Sequence, residues 1–396
     1  MRIVHVITRM IVGGAQEVAL LCCSAQHARG HDVTLMTGPP IGPEGSLLER
    51  AQAGGYRVEV IDDMRRAISI PRDWRTYRTL VRRLGEISPD VVHTHSSKAG
   101  IIGRWAAAKA RAPAIIHTIH GLSFSASTSA LVNNAYKFLE RQTAPITSKI
   151  VCVADVMRQD SLAAHIGRLE QYVTIYNGMD TGPFLNPPVP RQQARAQFGF
   201  ADEHVVVGTI GRLFHLKGHD DLLDMAPALC AKWPQLRFMW VGDGLLREHL
   251  QNRIREMNLT DRFVLTGLVP PSRIPELVGA MDIVAHPSHR EGLALAIPQG
   301  SLGGKPVVTY DVGGNREALI DGQTGYLVPQ GNKERFSESL DRLLGDPQLR
   351  KRMGEAGREF ALGRFDTKVM IDALEQVYGE ALARPRTIGA PGLEKA

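Results

Sequence analysis

Short runs of β-branched and aromatic residues alternate with longer stretches of helical periodicity along almost the whole chain. Strands that alternate with helices in this way indicate βαβ units and parallel sheets. The chain is therefore predicted to be an α/β protein. In its first half the strand candidates are RIVHVI, DVTLMT, YRVEVI, DVVHTH, AIIHTIH, KIVCVA and YVTIYN.

A proline-rich stretch divides the alternation into two series. Between Gly182 and Pro190, GPFLNPPVP holds four prolines, which suit neither a helix interior nor a central strand. The 396 residues are enough for two domains. We predict two doubly wound, Rossmann-like domains at 1–183 and 184–365, with a flexible tail at 385–396. The later strand candidates are VVVGTIG, LRFMWVG, RFVLTG, DIVAHP, KPVVTY and GYLVP.

Composition and residue spacing limit the classes of function that the chain can have. Neither a signal sequence nor a run of about 18 apolar residues is present, so a cytoplasmic protein is expected. The four cysteines lack C-x-x-C or cysteine–histidine ligand spacing, which favours reduced, mostly buried thiols and no metal site. The net charge of +6 favours anionic partners. Nucleic acid is not expected, because no recognition motif accompanies the charge.

The segment PRDWRTYRTLVRRLGEI predicts an amphipathic basic helix. Helical spacing places its apolar side chains on one face. Two interpretations stay open: an ordinary surface helix that packs through this face, or a helix that contacts an anionic membrane. The apolar residues are Trp74, Tyr77, Val81 and Leu84, and the basic ones are Arg72, Arg75, Arg78, Arg82 and Arg83.

Open parallel sheets bind ligands at the carboxyl ends of their strands, so the loops that follow strands are the candidate sites. Gly13 and Gly14 follow the first strand and open a helix, whose N-terminus can bind an anion. A glycine turn that only reverses the chain explains the pair equally well, since the dinucleotide pattern G-x-G-x-x-G is missing.

Histidines mark a second loop in the first half. In AIIHTIHGLSF, strand alternation places His117 and His120 on opposite faces, and His120 lies at the carboxyl edge, better placed to meet a ligand. His117 is interpreted as structural. In VVHTHSSKAG, His93 and His95 can likewise be either structural or ligand-binding. The segment 96–98 is a possible polar surface for an acceptor.

Two loops of the second half hold charged residues. Arg212 and Lys217, in TIGRLFHLKGHDDLL, can converge on one anion as a diphosphate clamp. In SHREGLALAIPQG, Gly292 and Leu293 are predicted at a helix N-terminus, where backbone N–H groups can bind phosphate. A phosphate would repel Glu291, so neutral hydroxyls are its expected partners.

Together these stretches resemble the retaining glycosyltransferases of family 4, which have the GT-B fold. The resemblance extends over nearly the whole chain and rests on ordered motifs. It implies a nucleotide-sugar donor, no D-x-D metal motif, no cofactor, and a C-terminal helix, at about 366–384, that returns to the first domain. The motifs are VGGAQE, VVHTH, HTIHG, IYNGMD, GTIGRL…KGHDDLL, VGDG and SHREGLALAIPQGSLGGKPVVTYDVGGNREALIDGQTGYLVP.

The resemblance also assigns roles to residues. Arg212 and Lys217 would bind the donor diphosphate, and Glu291 the hydroxyls of the donor sugar. Gly292 and Leu293 would add backbone contacts, His120 would lie near the reacting sugar, and Gly13 and Gly14 would close over it. Where the family's E-x7-E motif has a second glutamate for the ribose hydroxyls, this chain has Gln299.

Gln299 keeps an acceptor oxygen but loses the charge. A bond to ribose then contributes about 0.5–1.5 kcal/mol rather than about 1.5–3 kcal/mol. This substitution is expected to weaken donor affinity, not to abolish catalysis, because Arg212 and Lys217 would supply the stabilisation of the leaving group.

The implied activity is hexosyl transfer from a nucleotide-sugar, UDP-linked by expectation, with retention at the anomeric carbon. Two alternatives stay open: a non-hydrolysing sugar-nucleotide epimerase and a catalytically silent nucleotide-sugar-binding subunit. HTHSSKAGIIGRWAAAKARAPAIIHTIHGLSF resembles bacterial surface-polysaccharide transferases, which implies a glycan or lipid-linked acceptor at the inner face of the cytoplasmic membrane. The sequence names neither the sugar nor the linkage nor the oligomeric state.

Overall fold

The computed structural model describes residues 1–42, 45–124 and 129–384. It divides into two units: unit 1 is Met1–Tyr176 with Met370–Ala396, and unit 2 is Asn177–Val369. The first segment of unit 1 thus ends at Tyr176, against the boundary predicted after residue 183, and its second segment begins at Met370, against the returning helix predicted from about 366. The tail predicted at 385–396 lies outside the described residues.

Unit 1 is built on a seven-stranded sheet. Its elements up to the end of the sheet are β1 (Arg2–Ile7), α1 (Gly14–Ala28), β2 (Asp32–Thr37), α2 (Leu48–Gln52), β3 (Arg57–Val60), α3 (Ile70–Ile87), β4 (Val91–His95), α4 (Ser97–Lys109), β5 (Ala114–Ile119), α5 (Ala130–Thr143), β6 (Lys149–Cys152), α6 (Asp155–Ala163) and β7 (Tyr172–Thr174).

Unit 2 is built on a six-stranded sheet. Its elements are α7 (Gly182–Leu185), α8 (Arg191–Ala196), β8 (Val205–Ile210), α9 (His219–Lys232), β9 (Leu236–Val241), α10 (Arg247–Glu256), β10 (Phe263–Gly267), α11 (Ile274–Ala280), β11 (Ile283–His286), α12 (Ala296–Leu302), β12 (Val307–Tyr310), β13 (Gly325–Val328), α13 (Lys333–Gly345) and α14 (Pro347–Phe365). The last helix, α15 (Thr367–Ala383), enters unit 1 at Met370.

Both sheets are parallel, which confirms the predicted α/β fold with two doubly wound sheets. The strand orders are β3-β2-β1-β4-β5-β6-β7 and β10-β9-β8-β11-β12-β13. Strand order therefore reverses between β1 and β4 in unit 1, and between β8 and β11 in unit 2. Such switch points are where open α/β sheets bind ligands.

The helix α15 explains why the C-terminal segment belongs to unit 1. Its apolar face, which includes Ile371, Leu374 and Tyr378, packs in one core with Ile3 of β1 and Val91 of β4. Burial of each large aliphatic side chain stabilises the fold by about 1.5–3 kcal/mol. The helix therefore packs with unit 1, although it directly follows unit 2 in the sequence.

The predicted basic helix is α3, but its apolar face differs from the prediction. Leu80 and Leu84 are buried, whereas Trp74 is 59% exposed and stacks on Tyr77 with ring centroids 5.4 Å apart. Three of its arginines form ion pairs within unit 1: Arg75 with Asp63, Arg82 with Glu86, and Arg83 with both Glu59 and Glu86. Within the described residues, no helix is both long and apolar enough to cross a membrane.

Cys22, Cys23, Cys152 and Cys230 are buried and form no disulfide, as predicted. Burial raises the pKa of the Cys22 thiol to about 12 and holds the pKa of the Cys23 thiol well above its usual range. These two side chains are therefore neutral thiols that pack against apolar neighbours, since the nucleophilic thiolate is not formed at neutral pH.

Candidate active site

In unit 2 the loops after β8 and β11 are held together at the switch point. We call residues 211–218 the β8 loop and residues 287–295 the β11 loop. The Leu216 carbonyl accepts hydrogen bonds from the backbone N–H of His289, at 2.8 Å, and from Ser288 Oγ, at 2.9 Å. The side chains of the two loops are therefore placed against each other by backbone contacts.

Gly218 allows this close approach. Its φ of +71° lies in the left-handed region, and a Cβ at this position would lie 1.9 Å from the Pro287 carbonyl oxygen. Any larger residue would strain the backbone and push the β11 loop away. Glycine at the end of the β8 loop is thus required by both conformation and space.

The centre of this site is an ion pair between the two loops. Lys217 Nζ lies 2.5 Å from Glu291 Oε1, and His286 Nε2 lies 2.9 Å from the same oxygen. Burial opposes ionisation of Glu291, but the hydrogen bond with His286 and the charge of Lys217 outweigh it and lower the pKa of Glu291 to about 2. Glu291 is therefore an anion at neutral pH.

Arg212 is at the start of the β8 loop and is exposed. Its guanidinium carbon lies 5.8 Å from the centre of the Phe214 ring, within range of a cation–π contact. The Lys217 side chain folds back over the loop, since its Cδ would be 3.9 Å from a Cβ on Gly211, the residue before Arg212. The two cations thus lie on one short loop, and their convergence on one anion stays a prediction.

The prediction that Gly292 and Leu293 lie at a helix N-terminus is wrong. The helix α12 begins at Ala296, and the two residues belong to the β11 loop. The Gly292 carbonyl accepts a hydrogen bond of 2.6 Å from Gly314 N–H, after β12, instead of entering a helical bond. This contact holds the segment outside the helix. The partial positive charge of a helix N-terminus is therefore not a reason to expect phosphate binding by Gly292 and Leu293.

Glycine also allows the loop after β12 to approach Glu291. Gly313 has a φ of +51°, and a Cβ on it would lie 2.1 Å from the Glu291 carbonyl oxygen. The main chain of Glu291 is therefore fixed from one side by this loop, and its side chain from the other by Lys217. Gln299 is half-buried on α12, eight residues further along the chain.

In unit 1 the loop after β1 leads directly into α1. Gly13 has extended backbone, with φ of 178°, and α1 begins at Gly14. Neither residue has a φ in the left-handed region that favours glycine. The backbone conformation therefore does not require glycine, but a Cβ on Gly13 would lie 2.7 Å from Gln16 Oε1. Closure of this loop over a ligand stays a prediction.

His117 lies within β5 and His120 directly after it, and their surroundings differ. His117 is 2% exposed and its Nδ1 lies 3.0 Å from Thr94 Oγ1, so it has a structural partner. His120 follows the strand at the carboxyl edge, and its Nε2 lies 3.0 Å from His95 Nδ1. Burial lowers the pKa of His120 to about 4. It is therefore a neutral imidazole at neutral pH.

The sequence did not single out His5, a buried histidine of β1, or His286. In the described part of the chain, His5, His93 and His95 form a group whose ring nitrogens, within 4.8 Å of one another, could hold a metal ion. Each of these nitrogens already has a hydrogen-bond partner in the protein. The expectation of a metal-free site stays a prediction. For both histidines the available signal was the same: a polar ring inside an apolar strand.

Comparisons with known proteins agree with this arrangement of units. The model of Glycosyltransferase Family 4 matches residues 12–182, and the model of glycosyl transferases group 1 matches residues 190–360. A D-inositol 3-phosphate glycosyltransferase of Saccharomonospora viridis is 30% identical over 312 residues, which cover 74% of this chain and 70% of that protein. The chain therefore belongs to the family 4 glycosyltransferases.

Two further proteins are similar over almost the full length. The UDP-Gal:alpha-D-GlcNAc-diphosphoundecaprenol alpha-1,3-galactosyltransferase of Escherichia coli is 27% identical over 381 residues, or 95% of this chain and 96% of that one. The crystal structure of HepE from Anabaena in complex with UDP-glucose has a TM-score of 0.82 and 23% identity, covering 96% of this chain and 100% of that chain. This structural similarity confirms the predicted GT-B fold.

Proposed function

We propose that the chain is a retaining hexosyltransferase that moves a sugar from a UDP-sugar to a glycan or lipid-linked acceptor. The observation that supports this most is the contact of Lys217 and His286 with Glu291 at the β8/β11 switch point. It joins a cation suited to a diphosphate with an anion suited to sugar hydroxyls, so the two halves of a nucleotide-sugar have adjacent partners.

Each group has a distinct role in this proposal. Arg212 and Lys217 bind the diphosphate and stabilise the negative charge that develops as it leaves. Glu291, held by His286, accepts hydrogen bonds from hydroxyls of the donor sugar. The backbone N–H groups of Gly292 and Leu293 add contacts to the donor, now from a loop rather than from a helix end.

The proposed reaction breaks the bond between the anomeric carbon and the diphosphate oxygen and forms a bond to an acceptor hydroxyl on the same face. The nucleoside diphosphate departs with the electron pair, the anomeric carbon passes through an oxocarbenium-like state, and the acceptor proton passes to the leaving phosphate. Retention rests on the family resemblance. No cofactor or metal is part of this proposal.

The names of the relatives support the substrate class. HepE is described with UDP-glucose, and the E. coli relative acts from UDP-galactose on a sugar linked to diphosphoundecaprenol. We therefore assign a UDP-hexose as donor and a polyprenyl-diphosphate sugar as the first acceptor to test. Such an acceptor places the reaction at the inner face of the cytoplasmic membrane.

A screen of UDP-, GDP- and ADP-hexoses by thermal shift, followed by product analysis with and without acceptor, tests the proposal. A true donor stabilises the fold by mass action. Transfer to the acceptor with release of UDP supports the proposal. Conversion of the donor to its epimer without acceptor would show an epimerase. Binding without consumption under either condition would show a silent subunit.

Replacing Gln299 with glutamate is expected to tighten UDP binding. A charged acceptor for the ribose hydroxyls adds up to about 1–2 kcal/mol, or roughly five- to thirtyfold in Kd. Isothermal titration with UDP measures the change, and Gln193→Glu, on the exposed surface of α8, is the matched control. Unchanged or weaker UDP affinity in Gln299→Glu would show that Gln299 does not face the ribose.

We propose that the membrane contact of α3 is made by its N-terminal end. Ile68, Ile70 and Trp74 are 76%, 84% and 59% exposed, and the exposed arginines Arg66 and Arg72 lie beside them in the chain. Apolar side chains next to basic ones suit the headgroup region of an anionic bilayer. The paired arginines further along α3 contribute less, because carboxylates already neutralise them.

The double substitution Ile70→Ser with Trp74→Ser tests this contact. We expect sedimentation with phosphatidylglycerol vesicles to fall at least about tenfold, because two apolar side chains no longer enter the interface. UDP binding should not change. Leu245→Ser, which removes an apolar residue that is 77% exposed in unit 2, should leave sedimentation unchanged. Equal sedimentation of all three proteins would leave this end of α3 as ordinary surface.

A further inference from the structure

A chain of buried hydrogen bonds runs through unit 1 and ends at His120. His120 Nε2 lies 3.0 Å from His95 Nδ1, His95 Nε2 lies 2.9 Å from His5 Nδ1, and His5 Nε2 lies 2.8 Å from Gln26 Oε1. The three histidines come from the carboxyl end of β5, from β4 and from β1, which are adjacent strands. We call these four residues the histidine chain.

The three imidazoles of the histidine chain are neutral. Burial lowers the pKa of His5 and of His120 to about 4, and burial with the neighbouring histidines holds the pKa of His95 well below its usual range. A neutral imidazole has one N–H donor and one bare nitrogen acceptor. Each ring that donates at one nitrogen must therefore accept at the other, and the direction of the whole chain is set at one end.

Gln26 sets that direction. Its Oε1, which can only accept, faces His5, and its Nε2 donates to the Tyr378 hydroxyl at 3.2 Å. His5 therefore has its proton on Nε2 and accepts at Nδ1 from His95 Nε2–H. By the same rule, His95 accepts at Nδ1 from His120 Nε2–H. The result is a bare Nδ1 on His120.

A second branch of hydrogen bonds is consistent with this orientation of Gln26. Tyr378 accepts from Gln26, so its own proton is available for His93 Nδ1, 2.6 Å away. His93 then donates from Nε2 to Thr118 Oγ1, also at 2.6 Å. Tyr378 lies on α15, so the C-terminal helix helps to fix the amide on α1.

His120 Nδ1 is the open end of the chain. This atom is buried and, within the described residues, has no hydrogen-bond partner. An unsatisfied buried acceptor is costly, so it favours a donor that a ligand would bring. Beside it, apart from Gly121 and its two neighbours in the chain, no described residue has an atom within 4 Å of the position that a Cβ on Gly121 would take.

We infer that Gln26, His5 and His95 are positioning residues that fix His120 in the Nε2–H tautomer, so that its Nδ1 accepts a hydrogen bond from a sugar hydroxyl of the substrate. This inference rests on the proposed transferase function for its ligand, but the tautomer itself is a property of the ligand-free protein. The opposite tautomer would present an N–H to the hydroxyl and would require it to accept. The chain thus selects which partner His120 can bind.

Nitrogen-15 NMR of the full-length protein labelled at histidine tests the tautomer without substrate. Long-range proton–nitrogen correlations distinguish the two neutral tautomers, and the signals lost in His120→Gln assign His120. We expect the Nε2–H form in the parent protein and in Gln26→Glu, which keeps an acceptor oxygen toward His5. Gln26→Met, which lacks it, should give a mixture of both tautomers.

Turnover gives the second readout. Gln26→Met should lower kcat about tenfold, as expected for misdirecting one hydrogen bond, while Gln26→Glu should stay within about twofold of the parent. An Nδ1–H form of His120 in the parent protein, or an unchanged tautomer in Gln26→Met, would overturn the inference. If Gln26→Met does not fold, the parent spectrum still tests the tautomer of His120, because an Nδ1–H form overturns the inference. A correct tautomer in a protein without transferase activity would contradict the proposed function instead.

Discussion

Replacing Lys217 with alanine is expected to lower turnover by at least about a hundredfold, and Arg212→Ala by a similar factor. In the proposed mechanism either change removes a positive charge that would stabilise the departing diphosphate, a contribution of about 2.7–4 kcal/mol where single stabilising groups have been removed from active sites. Steady-state release of UDP in the presence of acceptor measures the effect. Lys217→Ala should also weaken UDP binding, since the proposal gives the same cation a contact with the bound product.

The control for these variants is Lys232→Ala. Lys232 is on α9 of the same unit and forms an ion pair with Asp341, 2.8 Å away and outside the β8 and β11 loops. Its removal should leave turnover within about twofold, as expected for an exposed pair of small energetic value. Near-normal turnover in both Arg212→Ala and Lys217→Ala would remove the basis for the diphosphate assignment.

Glu291→Gln is expected to lower kcat/KM about tenfold to a hundredfold. Glutamine keeps the shape but not the charge, so bonds to donor hydroxyls weaken from charge-assisted to neutral strength. Lys217 also loses the anion that holds its ammonium group at 2.5 Å. Donors that lack single hydroxyl groups sharpen the test: the variant and the parent should converge on the deoxy donor whose missing hydroxyl binds Glu291.

Glu276→Gln provides the comparison for Glu291→Gln. Glu276 is a buried carboxylate of unit 2 that pairs with Arg273, on the segment that leads into α11. The loss of this pair should affect stability without changing relative activity on deoxy donors. If Glu291→Gln discriminates among those donors no differently from Glu276→Gln, Glu291 does not contact the sugar.

Local patterns in the sequence were sufficient to predict the strands and the candidate loops. A largely buried parallel strand such as β8 (VVVGTI) reads as a mostly apolar run, and a loop after such a strand lies at the carboxyl edge of the sheet. Arg212, Lys217 and Glu291 could therefore be placed at the edge of one sheet. Family resemblance supplied their expected roles.

Contacts between distant residues could not be predicted. Lys217 and Glu291 are 74 residues apart, and His5 and His95 are 90 apart. Sequence spacing indicates the strand or loop of each residue, but not which nitrogen faces which oxygen. The start of α12 shows the same limit. The Gly292 carbonyl accepts a hydrogen bond from Gly314, in the loop after β12, and the helix begins only at Ala296.

Exposure was also difficult to predict. Helical periodicity grouped Trp74 with Leu84 on one face of α3, yet only the C-terminal part of that face packs against the sheet, and Trp74 is left at the surface. Periodicity gives the direction of a side chain but not the extent of the surface that covers it. The ion pairs of Arg75, Arg82 and Arg83 likewise depend on neighbours that are partly outside the helix.

The most direct test of the account is a transfer assay with the purified full-length protein, a UDP-hexose panel and a polyprenyl-diphosphate sugar acceptor. Mass spectrometry of the lipid product and quantification of UDP should be made in parallel for the parent and for Lys217→Ala. We predict one UDP released per hexose added in the parent, with no consumption of donor unless acceptor is present, and at least about a hundredfold less product in the variant. Donor consumption without glycosylated product, or equal product from both proteins, would contradict the account.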